Sequence, residues 1–256
     1  MNDLAVSGAK PLFFTLNAFI EEGLEVDVLN RILAAMAEAC RDANVRVVAG
    51  DTKVLRRGQG GGIYLATTGL GLRPKGLKLG LDQVEPGDRL VLTGPVGDHG
   101  TAVMLAREEF GLSGELQSDA ANVFPLAQAF MTVSGLRFMR DPTRGGIATV
   151  AHEIARSRSA TVRLWESHVP VRPQVRSVCE MLGYDPYYLA CEGRIVAVLA
   201  PGAADVAVEL LRAQGCAEAA VIGEVRPGPI RVELETRLGG LRILEELEDD
   251  PLPRIC

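Results

Sequence analysis

The stretch Val28–Leu55, VLNRILAAMAEACRDANVRVVAGDTKVL, decides the fold, because a helical pattern passes directly into a strand pattern within it. Apolar residues fall at Val28, Leu29, Ile32, Leu33, Met36 and Ala39, the three-or-four spacing of an amphipathic helix lying on a sheet. Asp27 is the expected N-cap and Asn44 the expected stop. Arg46–Leu55 then predicts a strand. Upstream, the apolar and β-branched run Pro11–Ile20 predicts one strand or two short ones. Downstream, Gly60–Thr68 predicts another strand, entered through a glycine-rich hairpin.

The segment from Leu81 to Asp88, LDQVEPGD, reads as a connection, and Arg89–Thr93 restarts a buried strand beyond it. A domain boundary is therefore expected near residue 84. After it, helices are expected at Thr101–Phe110, Ala120–Val133, Gly146–Ser157, Pro173–Leu182 and Ala203–Gln214, with strands at Val162–Leu164, Arg194–Leu199 and Ile230–Glu235. This mixture suggests α+β layers rather than a doubly wound parallel sheet. Three parts result: 1–84, 85–244, and a tail over 245–256.

Composition narrows the function. A net charge of −6 with no block of Lys and Arg argues against nucleic acid or an anionic membrane surface as the main partner. No apolar run approaches a bilayer span, and the N-terminus lacks a signal-peptide layout. Five widely spaced cysteines without a CxxC pair argue against a disulfide framework or structural zinc, and fit reduced thiols in a cytoplasmic protein.

The tail differs in kind. An acidic run, Glu245–Asp250, precedes Pro251-Leu252-Pro253-Arg254-Ile255-Cys256, where two prolines exclude a helix interior and favour extended chain. Cys256 is thus expected at the end of a mobile, solvated arm.

Three patches could carry chemistry. Asn2-Asp3 and Gly50-Asp51-Thr52-Lys53 offer carboxylates and an ammonium; on a strand, Asp51 and Lys53 project to one face. Mg²⁺ bound to a triphosphate uses such carboxylates, and the lysine can neutralise a transferring phosphoryl group. The bland alternative is a surface ion pair at a strand end. The second patch joins Gly94-Pro95-Val96-Gly97-Asp98-His99-Gly100 and Asp141–Gly146, glycine-rich turns entering helices. His99 there is either a general base or a capping and packing residue. The third is Ala190-Cys191-Glu192-Gly193, where Glu192 is a positioned base or a plain turn residue, and Cys191 has no nearby His to activate it. No P-loop, dinucleotide fingerprint or GxSxG elbow occurs.

Together these motifs resemble the family of hydrogenase expression/formation protein E, the carbamoyl dehydratase of nickel–iron hydrogenase maturation. The resemblance runs over essentially the whole chain: NDLAVSGA at Asn2–Ala9, EEG at Glu21–Gly23, GDTKV at Gly50–Val54, GDHG at Gly97–Gly100, RDPTRGG at Arg140–Gly146 and PRIC at Pro253–Cys256. It implies an AIR-synthetase-like two-domain α+β fold. A partial N-terminal α/β domain for ATP binding and dimerisation would be followed by a C-terminal α+β domain and the tail.

The resemblance also implies chemistry. The carbamoyltransferase HypF loads carbamoyl onto Cys256, and an ATP-dependent dehydration turns it into a thiocyanate. The cyano group then passes to the iron scaffold complex HypC–HypD. Asp3 and Asp51 would hold Mg²⁺ and ATP, supported by Asn2 and Thr52, with Lys53 and Glu192 against the carbamoyl group. Two departures stand out. Cys191 occupies a position where the family usually has Asn. The family also carries a segment before NDLA with phosphate contacts, a metal ligand and barrel strands, so this chain is expected to be N-terminally shortened. The alternative to the dehydratase is a carrier that accepts carbamoyl on Cys256 without dehydrating it.

Overall fold

The computed structural model describes residues 1–107 and 116–247. The chain divides into two compact units, Met1 with Asp3–Lys75 and Asn2 with the residues from Gly76 onward. The division falls ahead of residue 84 because the connection already belongs to the second unit. Gly80 N–H donates to the Arg137 carbonyl at 2.9 Å, and Leu81 packs on that unit's core.

The first unit contains α1 (Asn2–Val6) from Asp3 onward, β1 (Lys10–Glu21), α2 (Val26–Asp42), β2 (Arg46–Leu55) and β3 (Ile63–Leu72). The strands lie in the order β2-β1-β3. β1 and β2 run parallel, which demands a crossover, and α2 supplies it. Phe14, Cys40 and Val45 form the small core, with Leu16, Met36 and Ala43 against it.

Two expectations are corrected. Glu25, not Asp27, takes the N-cap of α2; Asp27 sits in the first turn, where its charge favours the helix N-terminus. The hairpin between β2 and β3 does not form, since β3 pairs antiparallel with β1 from the other side. The glycine-rich loop instead wraps the end of β1. There the Glu21 carboxylate accepts the Gly58 and Gly62 amides, which hold its pKa below the ordinary carboxylate value. Much of this sheet stays open: β2 is exposed at every position but its last, and Val54 and Leu72 are 64% and 67% exposed.

The second unit contains β4 (Arg89–Leu92), α3 (Asp98–Ala106), α4 (Phe124–Met131), β5 (Leu136–Arg140), α5 (Gly146–Arg158) and β6 (Thr161–Trp165). It continues through α6 (Pro173–Leu182), β7 (Val196–Leu199), α7 (Pro201–Ala213), β8 (Ala220–Arg226), β9 (Arg231–Glu235) and β10 (Leu241–Leu244). Its sheet has the order β10-β9-β6-β8-β4-β7-β5, antiparallel except between β6 and β9. The expected α+β architecture is what the chain adopts. Ile147, Ala151 and Ile154 of α5 pack with Leu164, Val198 and Ile222 of the sheet. Fully burying each of the larger side chains contributes roughly 1.5–3 kcal/mol. A smaller cluster joins Met104 of α3 to Val175 and Val178 of α6.

In this unit α4 and β7 start two or more residues later than their sequence pattern suggests. The helix expected from Ala120 begins at Phe124, because side chains capture the amides before it. Ser118 Oγ accepts Ala120 N–H, Asn2 Oδ1 accepts Val123 N–H, and Asn122 Oδ1 accepts Phe124 N–H, at 3.0, 3.2 and 3.0 Å. The strand expected from Arg194 begins at Val196, since Ile195 N–H is taken by Thr93 Oγ1. The remainder of the helix expected over 101–110 beyond Arg107 lies outside the described residues. Among the described residues, no helix is long and apolar enough to cross a membrane.

On β9, the Glu233 side chain is 3% exposed and sits between Arg163 Nη2 at 2.7 Å and Arg231 Nη2 at 2.5 Å. Burial pushes its carboxyl up, but these two guanidiniums outweigh burial and leave the pKa below 4.5. A lowered acid stabilises the fold above its unfolded pKa, and that contribution is lost as pH falls through the folded value. Glu233→Ala is therefore expected to cost about 3 kcal/mol at neutral pH. Urea unfolding at pH 7 and pH 3 should show this gap narrowing in acid; a constant gap would contradict the assignment.

Candidate active site

The predicted residues fall in two groups, one in each unit. In the first unit, Asp51, Thr52 and Lys53 sit in the second half of β2, opposite Asn17, Ala18 and Phe19 of β1. Gly50 is required immediately before them. A Cβ at this position would stand 1.9 Å from the Leu16 carbonyl oxygen, so only glycine lets the two backbones approach. Asp51 Oδ1 accepts Thr52 N–H at 2.8 Å, which turns the carboxylate along the strand.

Asp51 and Lys53 are exposed, as is Asp3 in the first turn of α1. Regular pairing through this part of β2 puts Asp51 and Lys53 on one face. Beside Asp51 and Thr52 an open cavity of about 750 Å³ lies between α2 and the strands, walled by Leu29, Leu33 and Val48. Among the described residues, no group of three or more His, Cys, Asp or Glu side chains could hold a metal unaided. Asp3 and Asp51 have the hard oxygen donors that suit Mg²⁺, whose remaining ligands would be phosphate oxygens and water.

In the second unit, two loops without regular structure hold each other: Gln117–Val123 and Ala190–Ile195. Asn2 Nδ2 donates to the carbonyls of Ala121 and Glu192, each at 2.9 Å, while its Oδ1 takes the Val123 amide. The Asn2 carboxamide is thereby committed to joining the loops. Glu192 N–H donates to Asp119 Oδ1 at 3.0 Å. Arg194 Nε faces Asp119 Oδ2 at 3.3 Å and also donates to the Pro95 carbonyl at 3.0 Å.

Arg194 reaches Asp98 Oδ2 at 3.5 Å, where Arg172 Nε also arrives at 2.9 Å. Asp98 and Asp119 side chains are 3% and 1% exposed. Burial pushes the Asp119 carboxyl up, opposed by the Glu192 amide and then by the Arg194 charge. These groups line a polar cleft of about 420 Å³ with Ser118 and Gln174.

His99 does not stand as a free base. Its Nδ1 bonds Ser118 Oγ at 2.8 Å, and its Nε2 is buried without a hydrogen-bond partner among the described residues. Cys191 is fully buried, accepts Gly97 N–H at 3.3 Å on its sulfur, and burial pushes its thiol pKa upward. Such a thiol is not a nucleophile.

Asp119 went unread in the sequence, although Ser118-Asp119-Ala120-Ala121-Asn122 has the look of a capping turn. Its partner is 73 residues away, which no local pattern shows. Cys256 and the rest of 248–256 lie outside the described residues. The tail's first residues are tied to α5 and the turn before Leu189: Tyr188 Oη donates to the Glu245 carbonyl at 2.7 Å, and Arg156 pairs with Glu246.

Residues 1–73 match the AIR synthase related protein, N-terminal domain, and residues 85–235 match its C-terminal domain. The carbamoyl dehydratase HypE of Cupriavidus necator is 42% identical over 259 aligned residues, covering 100% of this chain and 74% of that protein. The chain belongs to the HypE carbamoyl dehydratase family. The crystal structure of Escherichia coli HypE superposes with a TM-score of 0.95 at 39% identity, covering 100% of this chain and 79% of that one. A HypE crystal structure in complex with ATP gives a TM-score of 0.92 at 37% identity, covering 98% and 77%. The HypE of a HypE–HypF complex gives 0.91 at 38% identity, covering 96% and 81%. Across the HypE family this architecture thus accompanies hydrogenase maturation.

Proposed function

We propose that the chain catalyses ATP-dependent dehydration of an S-carbamoyl group on Cys256 to a thiocyanate. The observation that carries the reading is the 42% identity to a carbamoyl dehydratase across the entire chain. The local geometry agrees with it. Asp51, Thr52 and Lys53 share one exposed strand segment, and the Glu192 loop is held by Asn2 and Asp119.

A carboxamide oxygen is a poor leaving group. Transfer of a phosphoryl group to it makes an imidate whose nitrogen loses its protons far more readily. Phosphate then departs with the carboxamide oxygen as the C≡N bond forms, so the substrate loses the elements of one water while ATP becomes ADP and phosphate, and no free water is released. Asp3 and Asp51, with Thr52, are assigned to Mg²⁺ and ATP, and the ion would neutralise phosphate charge. Lys53 offsets negative charge on the reacting oxygen. Glu192 takes the nitrogen-bound protons. Asn2 serves this site by fixing the Glu192 loop.

Further assignments follow from the same reading. The open apolar sheet of the first unit suits a second copy of the chain, giving a homodimer. HypF supplies the carbamoyl group, the HypC–HypD complex accepts the cyanide, and the setting is the cytoplasm.

The test is the intact mass of the C-terminal peptide after incubation with the carbamoyltransferase, carbamoyl phosphate and Mg²⁺-ATP. A carbamoyl mass gain followed by ATP-dependent loss of one water, both absent in Cys256→Ala, is the expected result. Carbamoylation that persists without water loss would make the chain a carrier and defeat the proposal.

A further inference from the structure

We propose that Asp119 is a positioning residue that sets Glu192 for proton transfer, acting through the Glu192 amide and the Arg194 guanidinium. The proposal rests on the reading of Glu192 as the base. A base is useful only within hydrogen-bond reach of its proton, so the backbone that carries it must be fixed. Glu192 lies in neither helix nor strand, so regular structure does not fix it.

Asp119 does so from two directions. Its Oδ1 accepts the Glu192 amide at 3.0 Å, and its own carbonyl oxygen lies over Gly193, where a Cβ would stand only 1.8 Å away. The carboxylate therefore grips the residue before the close approach, and the backbone blocks movement of the residue after it. Burying a carboxylate to 1% exposure is costly unless it is paired. Arg194 provides that pairing at 3.3 Å and carries the restraint on to Asp98 and the Pro95 carbonyl. Glu192 is thus the one end of this chain of contacts whose side chain has work to do on a substrate. Asp119 touches no reacting atom; its effect passes through Glu192.

Single-turnover dehydration of carbamoyl-loaded full-length protein should separate positioning from bulk stability. Asp119→Ala is expected to slow water loss by roughly 10–100-fold. Asp119→Asn should recover part of that rate, because its amide oxygen still accepts the Glu192 N–H while the pairing with Arg194 is lost. In a Glu192→Gln background, Asp119→Ala should add no further loss. Equal slowing in both backgrounds would overturn the proposal, as would a wild-type rate for Asp119→Ala.

Hydrogen exchange gives a readout independent of catalysis. The Glu192 amide should exchange at least about tenfold faster in Asp119→Ala, in keeping with a lost restraint. Unchanged exchange would overturn the positioning role even where dehydration is lost. Faster exchange together with an unimpaired Glu192→Gln enzyme would instead sink the base assignment, and the proposal with it.

Discussion

Glu192→Gln is expected to slow water loss from carbamoylated Cys256 by roughly 10²–10⁴-fold, the usual worth of a positioned general base. Carbamoyl acceptance by Cys256 should be unchanged, because that step belongs to the transferase. Glutamine keeps the length and shape of the side chain and leaves the backbone amide free to bond Asp119 Oδ1 as before. The ability to take a proton is removed, together with the negative charge. Quenched time courses read by peptide mass would follow the carbamoyl and cyano species separately. A loss smaller than about tenfold would assign the proton to another group, with Lys53 the next to test.

Gly193→Ala should have an effect nearly as large from a change of one methyl group. The added Cβ would stand 1.8 Å from the Asp119 carbonyl oxygen and 3.1 Å from the Ala121 side chain. The nearest obstacle is backbone, so relief requires one of the two loops to move by more than an ångström. Misplacement on that scale costs about 10²-fold in rate. Overpacking of this kind also costs roughly 1–3 kcal/mol of stability. The expected result is a folded protein, with an unaltered near-ultraviolet circular dichroism spectrum and a lower urea midpoint, that accepts carbamoyl and barely dehydrates it. A variant with the wild-type rate would show that the loops can part without disturbing Glu192.

Where apolar spacing alone determined an element, the sequence was readable to the residue: β2 spans Arg46–Leu55 and α6 spans Pro173–Leu182, as their patterns predict. Reading failed where side chains compete for backbone amides. The delayed start of α4 depends on Asn2, more than a hundred residues away, and no window of local sequence contains that partner. α1, β5, β8 and β10 were also missed. Two of them are short and little buried: Leu136–Arg140 is half-buried with one buried residue, and Leu241–Leu244 is exposed but for its last residue. They are strands because neighbours supply the hydrogen bonds.

The topology of the first unit had the same character, because strand propensity does not reveal that β1 lies between β2 and β3. Of the site, the residue types with evident chemistry were legible: Asp51, Lys53 and Glu192. What supports them was not. Asp119 and Arg194 work through contacts spanning 73 and 75 residues (194 − 119 = 75), between loops that carry no periodic signal.

The attachment of Glu245 and Glu246 bears on the order of the reaction. Because Tyr188 and Arg156 hold these two residues, the leash to the Cys256 sulfur is the ten residues 247–256. Such a span reaches no further than about 36 Å. On the proposed chemistry the substrate is then a permanently tethered reactant, presented at an effective concentration in the millimolar range that the leash alone sets. Dilution of the protein leaves that concentration untouched, whereas inserting residues after Leu247 lowers it. At a fixed ATP concentration the rate on that chemistry follows the fraction of Cys256 that is loaded, not the protein concentration.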